Sequence, residues 1–498
     1  MSSTPLENPY RAPAASSWDP TTAEQPPTRV RYGVLAFACG LSSITYLDRV
    51  CMGSAAGPIT EALGLDKPEQ LSIAYTTFGL AYAAFEIPSG WLGDVFGPRK
   101  TLIRIVLWWS IFTAMTGLIG MNWLPTALGG LTAMAVVRFL FGMGEAGAYP
   151  NITRALHNWF PVEERGFTQG LVWMSGRMMG GLTPLIWMFL ISGVVWNGKE
   201  ISPPLMSWRA AFWFFGVLGI IWCVLFTRWF RDRPEQNPRV NAAELKLIQA
   251  SGGNRHEAEL TGVPWRKILS SRSLWCLCIM YACGAYGWYF NITLLPTFME
   301  RHHGVEATDI LGSIYKGGPL WLGAFGCLVG GLLTDAYIRR TGDRKMGRRL
   351  FGIIGHSLCS VCCLACIFTN SAVTFFMTIS LAAFFNDLTM GSAWATCQDI
   401  GQRYAAIVAG CMNTIGNLGG ALVPIVTATI INRSIAARAD ALGVSEAALP
   451  DADLAAASLA GYHTNFIIFA AVYALAVVCW LMIDSTQPVA PDEPTSDQ

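Results

Sequence analysis

Twelve apolar runs constrain this chain more than any other feature. They lie at roughly 32–58, 71–95, 101–121, 128–151, 166–192 and 208–230, then at 273–299, 309–337, 349–369, 371–397, 404–432 and 461–484. Each exceeds the length an α-helix needs to cross about 30 Å of hydrocarbon at about 1.5 Å per residue. Backbone groups in lipid must find partners within their own segment, so these runs are expected to be helices. Only 13% of the residues are charged, against about 25% in soluble domains. A soluble multidomain enzyme is excluded on that ground, and the net charge of +1 suggests no nucleic-acid partner. The expectation is an all-α membrane protein with twelve transmembrane helices.

The runs divide into two related halves. Gly90-Trp91-Leu92-Gly93-Asp94, followed by Arg99 and Lys100, returns half a chain later as Gly331-Leu332-Leu333-Thr334-Asp335, followed by Arg339 and Arg340. Gly180-Gly181-Leu182-Thr183-Pro184 returns at nearly the same offset as Gly419-Gly420-Ala421-Leu422-Val423-Pro424. Internal duplication of a hydrophobic chain is characteristic of secondary transporters.

Charge placement sets the expected topology. Most of the 34 basic residues fall on one side: near the termini, in the 2–3, 4–5 and 10–11 turns, and above all in the 6–7 and 8–9 connections. The positive-inside rule then puts both termini in the cytoplasm. The expected layout is a disordered tail (1–31), a six-helix half (32–230), a cytoplasmic loop (231–272), a second six-helix half (273–484) and a second disordered tail (485–498). Both tails are rich in Pro, Ser and other polar residues and poor in large apolar ones. Within the loop, Asn241 to Ile248 suits a short surface helix.

These features resemble the major facilitator superfamily, whose best-known motif matches the two Gly-x-x-x-Asp copies. More local stretches resemble its anion:cation symporter branch, which includes galactonate, hexuronate and phthalate permeases and sialin. They are Tyr46-Leu47-Asp48-Arg49, Arg138-Phe139-Leu140-Phe141-Gly142-Met143-Gly144-Glu145-Ala146, Trp159-Phe160-Pro161 with Glu164-Arg165-Gly166, and Met412-Asn413-Thr414-Ile415-Gly416-Asn417. The resemblance implies a two-half, twelve-helix transporter in the plasma (inner) membrane. It also implies proton-coupling roles for Asp48 and Glu145 and an anion-binding role for Arg49. Gly90, Asp94, Arg99, Gly331, Asp335 and Arg339 would form the inner-turn motif that stabilises the outward-facing state without touching substrate.

The residues themselves support a charged site at mid-membrane. A lone charge there costs on the order of 3 kcal/mol or more, so each needs a partner, a cavity or a function. Asp48, Arg49, Arg138, Glu145 and Arg177 all lie inside first-half segments. Helix rise puts Arg49 about 27 Å and Arg177 about 18 Å from the inner edge. Asp48 and Arg49 are adjacent and must point in different directions, one toward the cavity and the other toward a neighbouring helix. Protonating a carboxylate in such a set frees positive charge for an anion, which couples proton uptake to anion binding. Arg49, Arg138 and Arg177 are therefore candidate substrate contacts, with Arg177 either meeting the anion or pairing with Glu145. The alternative is a set of structural ion pairs.

Second-half candidates are weaker. Asn413 and Asn417 share a helix face and either meet sugar hydroxyls or bond helices together. Tyr289 and Tyr82 suit a cavity wall, as does Tyr75. Lys316 is expected to snorkel outward. Asp387 is either a second titrating group or one member of a buried pair, and Glu86 reads as structural. Gly142-x-Gly144-x-x-Gly147 imitates a dinucleotide fingerprint but lacks a preceding strand. Cys359, Cys362, Cys363 and Cys366 read as apolar packing, with no metal. No cofactor is expected, and the coupling ion is expected to be H+. The leading reading is a monomeric proton-coupled symporter of an organic anion, a sugar acid such as a hexuronate or aldonate. Its rivals are an exchanger or uniporter for another carboxylate, a non-transporting membrane sensor, and an embedded enzyme.

Overall fold

The computed structural model describes residues 26–65, 68–121, 130–196, 199–250, 262–305 and 310–490. The outermost tails (1–25 and 491–498) and the side chain of Lys316 lie outside the described residues. The first half contains α1 (Val30–Ser54), α2 (Ala56–Ala62), α3 (Ser72–Phe96), α4 (Pro98–Thr116), α5 (Gly130–Glu145), α6 (Ala148–Trp159), α7 (Arg165–Trp187) and α8 (Trp208–Trp229). A small antiparallel hairpin, β1 (Val194–Trp196) with β2 (Lys199–Ser202), precedes α8. The connection between halves carries α9 (Ala242–Ala250) and α10 (Trp265–Leu269). The second half contains α11 (Arg272–Thr293), α12 (Leu295–His303), α13 (Ile310–Thr341), α14 (Arg344–Cys366), α15 (Ala372–Asp387), α16 (Met390–Gly401), α17 (Ala405–Leu442) and α18 (Asp451–Met482).

Local signals set the helix starts. Ser207, Ser271 and Asp343 each accept a hydrogen bond from the backbone N–H three residues on, and Pro98 opens α4. Seven helical stretches among the described residues are long and apolar enough to cross a membrane. Helices α3, α4 and α7 run for 25, 19 and 23 residues and bury polar side chains such as Glu86, Thr113 and Arg177. Four expected segments are each built from two helices, with segments 1 and 7 dividing at Ala55 and Leu294. Segment 4 breaks at Gly147, whose φ of 84° is a left-handed conformation that glycine adopts without a Cβ penalty. Segment 10 breaks at Leu388–Thr389, between α15 and α16.

Packing repeats the duplication. In the first half α1 packs on α7, α3 on α5 and α4 on α8. In the second half the corresponding partners are α11 with α17, α13 with α15 and α14 with α18. Across the halves α7 packs on α13 and α3 on α17. Motif glycines permit these crossings. A Cβ on Gly90 would stand 2.6 Å from the Ala406 carbonyl oxygen, and one on Gly331 would stand 2.3 Å from that of Gly166. The Gly142–Gly147 stretch serves packing too, since a Cβ on Gly144 would collide with Trp108. The four cysteines of α14 lie in a buried apolar cluster with Phe375, Phe466 and Phe469. Outward-facing Ile220, Leu225, Val361, Leu475 and Val478 are exposed, the pattern of a chain whose solvent is lipid.

Both boundaries with the tails differ from expectation. At the N-terminus, Thr28, Val30 and Arg31 bond the buried Glu244 of α9, and Arg31 also pairs with Glu164 at 3.1 Å. At the C-terminus, residues 485–490 fold back, and Val489 N–H donates to the Ile400 carbonyl at 2.8 Å. Val489 and Ala490 are buried there, so order extends past 484. Polar composition marks both segments as tail-like, but a few apolar or charged side chains suffice to dock them.

Candidate functional site

The first-half charges separate into two layers on α1. Arg49 turns toward α5, where its Nε donates to Glu145 Oε1 at 2.7 Å. Its guanidinium stacks over the Tyr82 ring of α3 at 4.4 Å. Asp48 turns the other way, toward α4, and accepts from Thr113 Oγ1 at 3.4 Å. Consecutive helix positions diverge by about 100°, which produces this split. Arg49 keeps 25% of its side chain exposed, whereas Glu145 has none. Among the described residues, the buried Arg49 Nη2 has no hydrogen-bond partner, nor do Glu145 Oε2 and Asp48 Oδ1.

Arg138 sits behind this pair on α5. It forms no ion pair within 4 Å among the described residues, and its guanidinium lies 4.2 Å over Phe141 and 5.3 Å from Phe78. It lies in the electrostatic field of Glu145 and Asp48. Arg138 is buried, so it contributes positive potential behind the Arg49–Glu145 pair and not an open contact.

Arg177 does not pair with Glu145. It crosses to the second half, where Nε and Nη2 donate to Asp387 at 2.7 and 3.1 Å. Nη1 donates to the Tyr46 hydroxyl, and the guanidinium lies 4.0 Å over Trp288. Asn386 donates a further hydrogen bond to Asp387. A Cβ on Gly323 would stand 2.4 Å from the Asp387 carboxylate, so only glycine fits beside it. Arg177 and Asp387 are 2% and 0% exposed, which makes them a closed cross-half ion pair in this structure.

Asn413 and Asn417 share one face of α17, as their spacing requires, but meet different partners. Asn413 Nδ2 donates to Glu86 Oε1 at 2.6 Å and to the Tyr82 hydroxyl at 3.3 Å, both in the other half. Asn417 accepts from the Tyr289 hydroxyl at 3.0 Å and stays half-buried, as Tyr289 does. Tyr289 lies in the electrostatic field of Arg49, Glu86 and Arg177. Tyr75 is directed to the Met52 carbonyl and is exposed. The half-exposed polar surface at this level is thus Arg49, Tyr289 and Asn417. Tyr82, Asn413, Arg138, Arg177, Asp48 and Glu145 are buried around it.

The two motif acids cap helices of the opposite half. Asp94 accepts from the Ala406 and Ile407 N–H groups at the start of α17, at 3.2 and 2.8 Å. Asp335 accepts from Gly166 and Phe167 at the start of α7, at 3.0 and 2.6 Å. Negative charge at a helix N-terminus is stabilising, so each contact ties the halves together. The cation beside each acid is not the motif's own. Arg99 is engaged with Asp232 and Thr227, and Arg339 with the Glu163 carbonyl. Arg154 stands 3.7 Å from Asp94, and Arg348 stands 3.1 Å from Asp335. Arg348 and Arg165 both bond Asp399, which completes a buried network across the halves. Sequence reading placed Arg154, Arg165 and Arg348 among loop charges and passed over Asp399. Only Arg348 lies near a motif turn in sequence, 13 residues after Asp335, and Arg165 carried its own signal in the Glu164-Arg165-Gly166 stretch.

The family model described as Major Facilitator Superfamily matches residues 38–424. The chain belongs to that superfamily. It is 32% identical over 408 residues to the probable sulfoacetate transporter SauU of Cupriavidus necator, covering 82% of this chain and 88% of that one. It is 28% identical over 421 residues to the probable galactarate/D-glucarate transporter GudP of Bacillus subtilis, covering 81% and 86%. Among solved structures, the Escherichia coli fucose:proton symporter superposes with a TM-score of 0.63 over 92% of this chain and all of that one, at 14% identity. The fold is that of a major facilitator transporter, and the relatives agree with the anion:cation symporter branch indicated by segments 1 and 4. This is a multi-pass membrane transporter and not an enzyme.

Proposed function

We propose that the protein is a proton-coupled symporter that takes up a small organic anion, a sugar acid such as a hexuronate or aldonate, by alternating access. In this reading it crosses the plasma (inner) membrane twelve times, has both termini in the cytoplasm and works as a monomer. Relatives named for sulfoacetate, galactarate and D-glucarate support an organic acid as cargo.

The observation that carries the reading is the state of Arg49. Its Nε is held by Glu145, a quarter of its side chain is exposed, and its buried Nη2 has no hydrogen-bond partner among the described residues. While Glu145 is ionised, the pair is neutral and attracts no anion strongly. A proton on Glu145 removes that charge, and Arg49 can then bind a carboxylate or sulfonate as a charge-assisted pair. The anion in turn stabilises the protonated form, so each ligand raises affinity for the other. Asp48 acts as the second titrating group, linked to Glu145 through the field of Arg138. Tyr289 and Asn417 meet the cargo's hydroxyl or second acid group, and Tyr82 and Asn413 join them when Glu86 releases the amide.

Uptake of sugar acids and short sulfonates into proteoliposomes tests this reading. An inward proton gradient is expected to drive accumulation. Accumulation that persists unchanged after the gradient is collapsed would contradict it.

A further inference from the structure

We propose that the cleft between the motif-side ends of α11, α14 and α18 binds the phosphate headgroup of an anionic lipid. This site is separate from the transport site. The cleft encloses about 640 Å³. Lys267, Arg272, Lys345 and Arg349 line it, against a single carboxylate, Asp484. The cationic excess is built into the fold. Arg349 Nε donates to the Ile483 carbonyl at 2.6 Å, which fixes its guanidinium at the cleft wall. Lys345 is held by Asp484. Ser271 caps α11, so the positive end of that helix also faces this region.

One further wall is the returning C-terminal segment. Gln487, Pro488 and Val489 close it, anchored by the Val489–Ile400 backbone hydrogen bond and by Thr486 on Asp484. Leu481 and Met482 line the cleft and are exposed, and Trp265, Leu269 and Trp275 are exposed on α10 and the first turn of α11, the elements that supply Lys267 and Arg272 to it. Trp275 Nε1 donates to the Leu269 carbonyl at 2.7 Å, which locks the indole against α10. Tryptophan beside basic side chains at helix ends marks the headgroup level of a membrane. A ligand that fills this place must be anionic at one end and apolar at the other. A basic cleft between helices at the membrane surface suits an anionic phospholipid. Free phosphate shares the headgroup chemistry but would leave the apolar rim uncovered.

The test is thermal unfolding of the purified full chain in neutral detergent, titrated with phosphatidylglycerol, phosphatidylcholine or inorganic phosphate. Phosphatidylglycerol is expected to raise the melting temperature, with the other two giving little change. In Lys267→Gln/Arg272→Gln the phosphatidylglycerol titration should shift about 30-fold to higher lipid, from about 1 kcal/mol per removed surface cation. Arg272→Gln alone should shift it about fivefold and serves if the double variant folds poorly. Equal responses to the two lipids would overturn the proposal. So would an undiminished response in the variants. Phosphate matching phosphatidylglycerol would replace the lipid with a soluble anion.

Discussion

Arg49 and Arg177 each set an Nε at 2.7 Å from a buried carboxylate, and they differ in what is left over. Arg177 has a two-point contact with Asp387, a tyrosine hydroxyl and an indole face. Removing one member of such a pair strands the other, at about 3–5 kcal/mol, whereas neutralising both costs much less. Arg177→Gln should therefore lower the melting temperature markedly, and Arg177→Gln/Asp387→Asn should recover most of the loss. A double variant as unstable as the single one would mean the pair is not coupled. Arg49 has a spare donor and partial exposure. Arg49→Ala should weaken anion binding by about 2 kcal/mol, roughly 30-fold, and should also lower the melting temperature, because it strands the buried Glu145 carboxylate. Retained affinity, read by ligand-induced thermal shift, would remove Arg49 from the anchor role. Sequence legibility at this scale was uneven. Adjacent numbering required Asp48 and Arg49 to diverge, and they do. The partner of Arg177 lies in the other half, and helix rise gives depth in the membrane but no azimuth across it.

Helices α7 and α13, and α3 with α17, meet where a motif acid of one half caps a helix of the other. Each cap holds two backbone N–H groups that have no partner within their own helix. Asp335→Asn keeps the shape and removes the charge, leaving Asp399 as the only carboxylate paired with Arg348 among the described residues, beside its bond to the Val162 carbonyl. That should favour separation of the halves at the motif end by about 1–2 kcal/mol. Cysteine accessibility at buried positions beside the network, such as Thr168, should rise; unchanged accessibility would mean the cap does not hold the halves. Gly331→Val tests the same crossing sterically, because its Cβ would stand 2.3 Å from the Gly166 carbonyl. Overpacking a backbone contact costs about 1–3 kcal/mol, so melting temperature should fall along with transport. The motif was plain in sequence because duplication printed it twice. Its cations were not, because Arg154 and Arg348 look like ordinary positive-inside charges until the turns fold over them. Glu86 read as structural, but its partner was not legible, because only the packing of α3 on α17 brings it to Asn413.

For the molecule as a whole, the apolar runs and the two motif copies pointed to an all-helical fold of two related halves, and the paired packing of the halves repeats the duplication. The broken segments at Gly147 and Leu388–Thr389, the docked ends at Arg31 and Val489, and the small hairpin before α8 depend on tertiary contacts that no periodicity encodes. The proposed transport cycle would join both halves to one charge balance. Arg49 and Glu145 lie in the first and Tyr289 and Asn417 in the second, and the motif acids tie the halves together. In proteoliposomes with the wild-type chain, adding a transported organic acid outside should remove protons from the external buffer. Glu145→Gln should abolish that proton uptake while counterflow of labelled substrate continues. A variant that still takes up protons with its cargo, or a wild-type chain that moves cargo with no proton flux, would contradict the coupling assigned to Arg49 and Glu145.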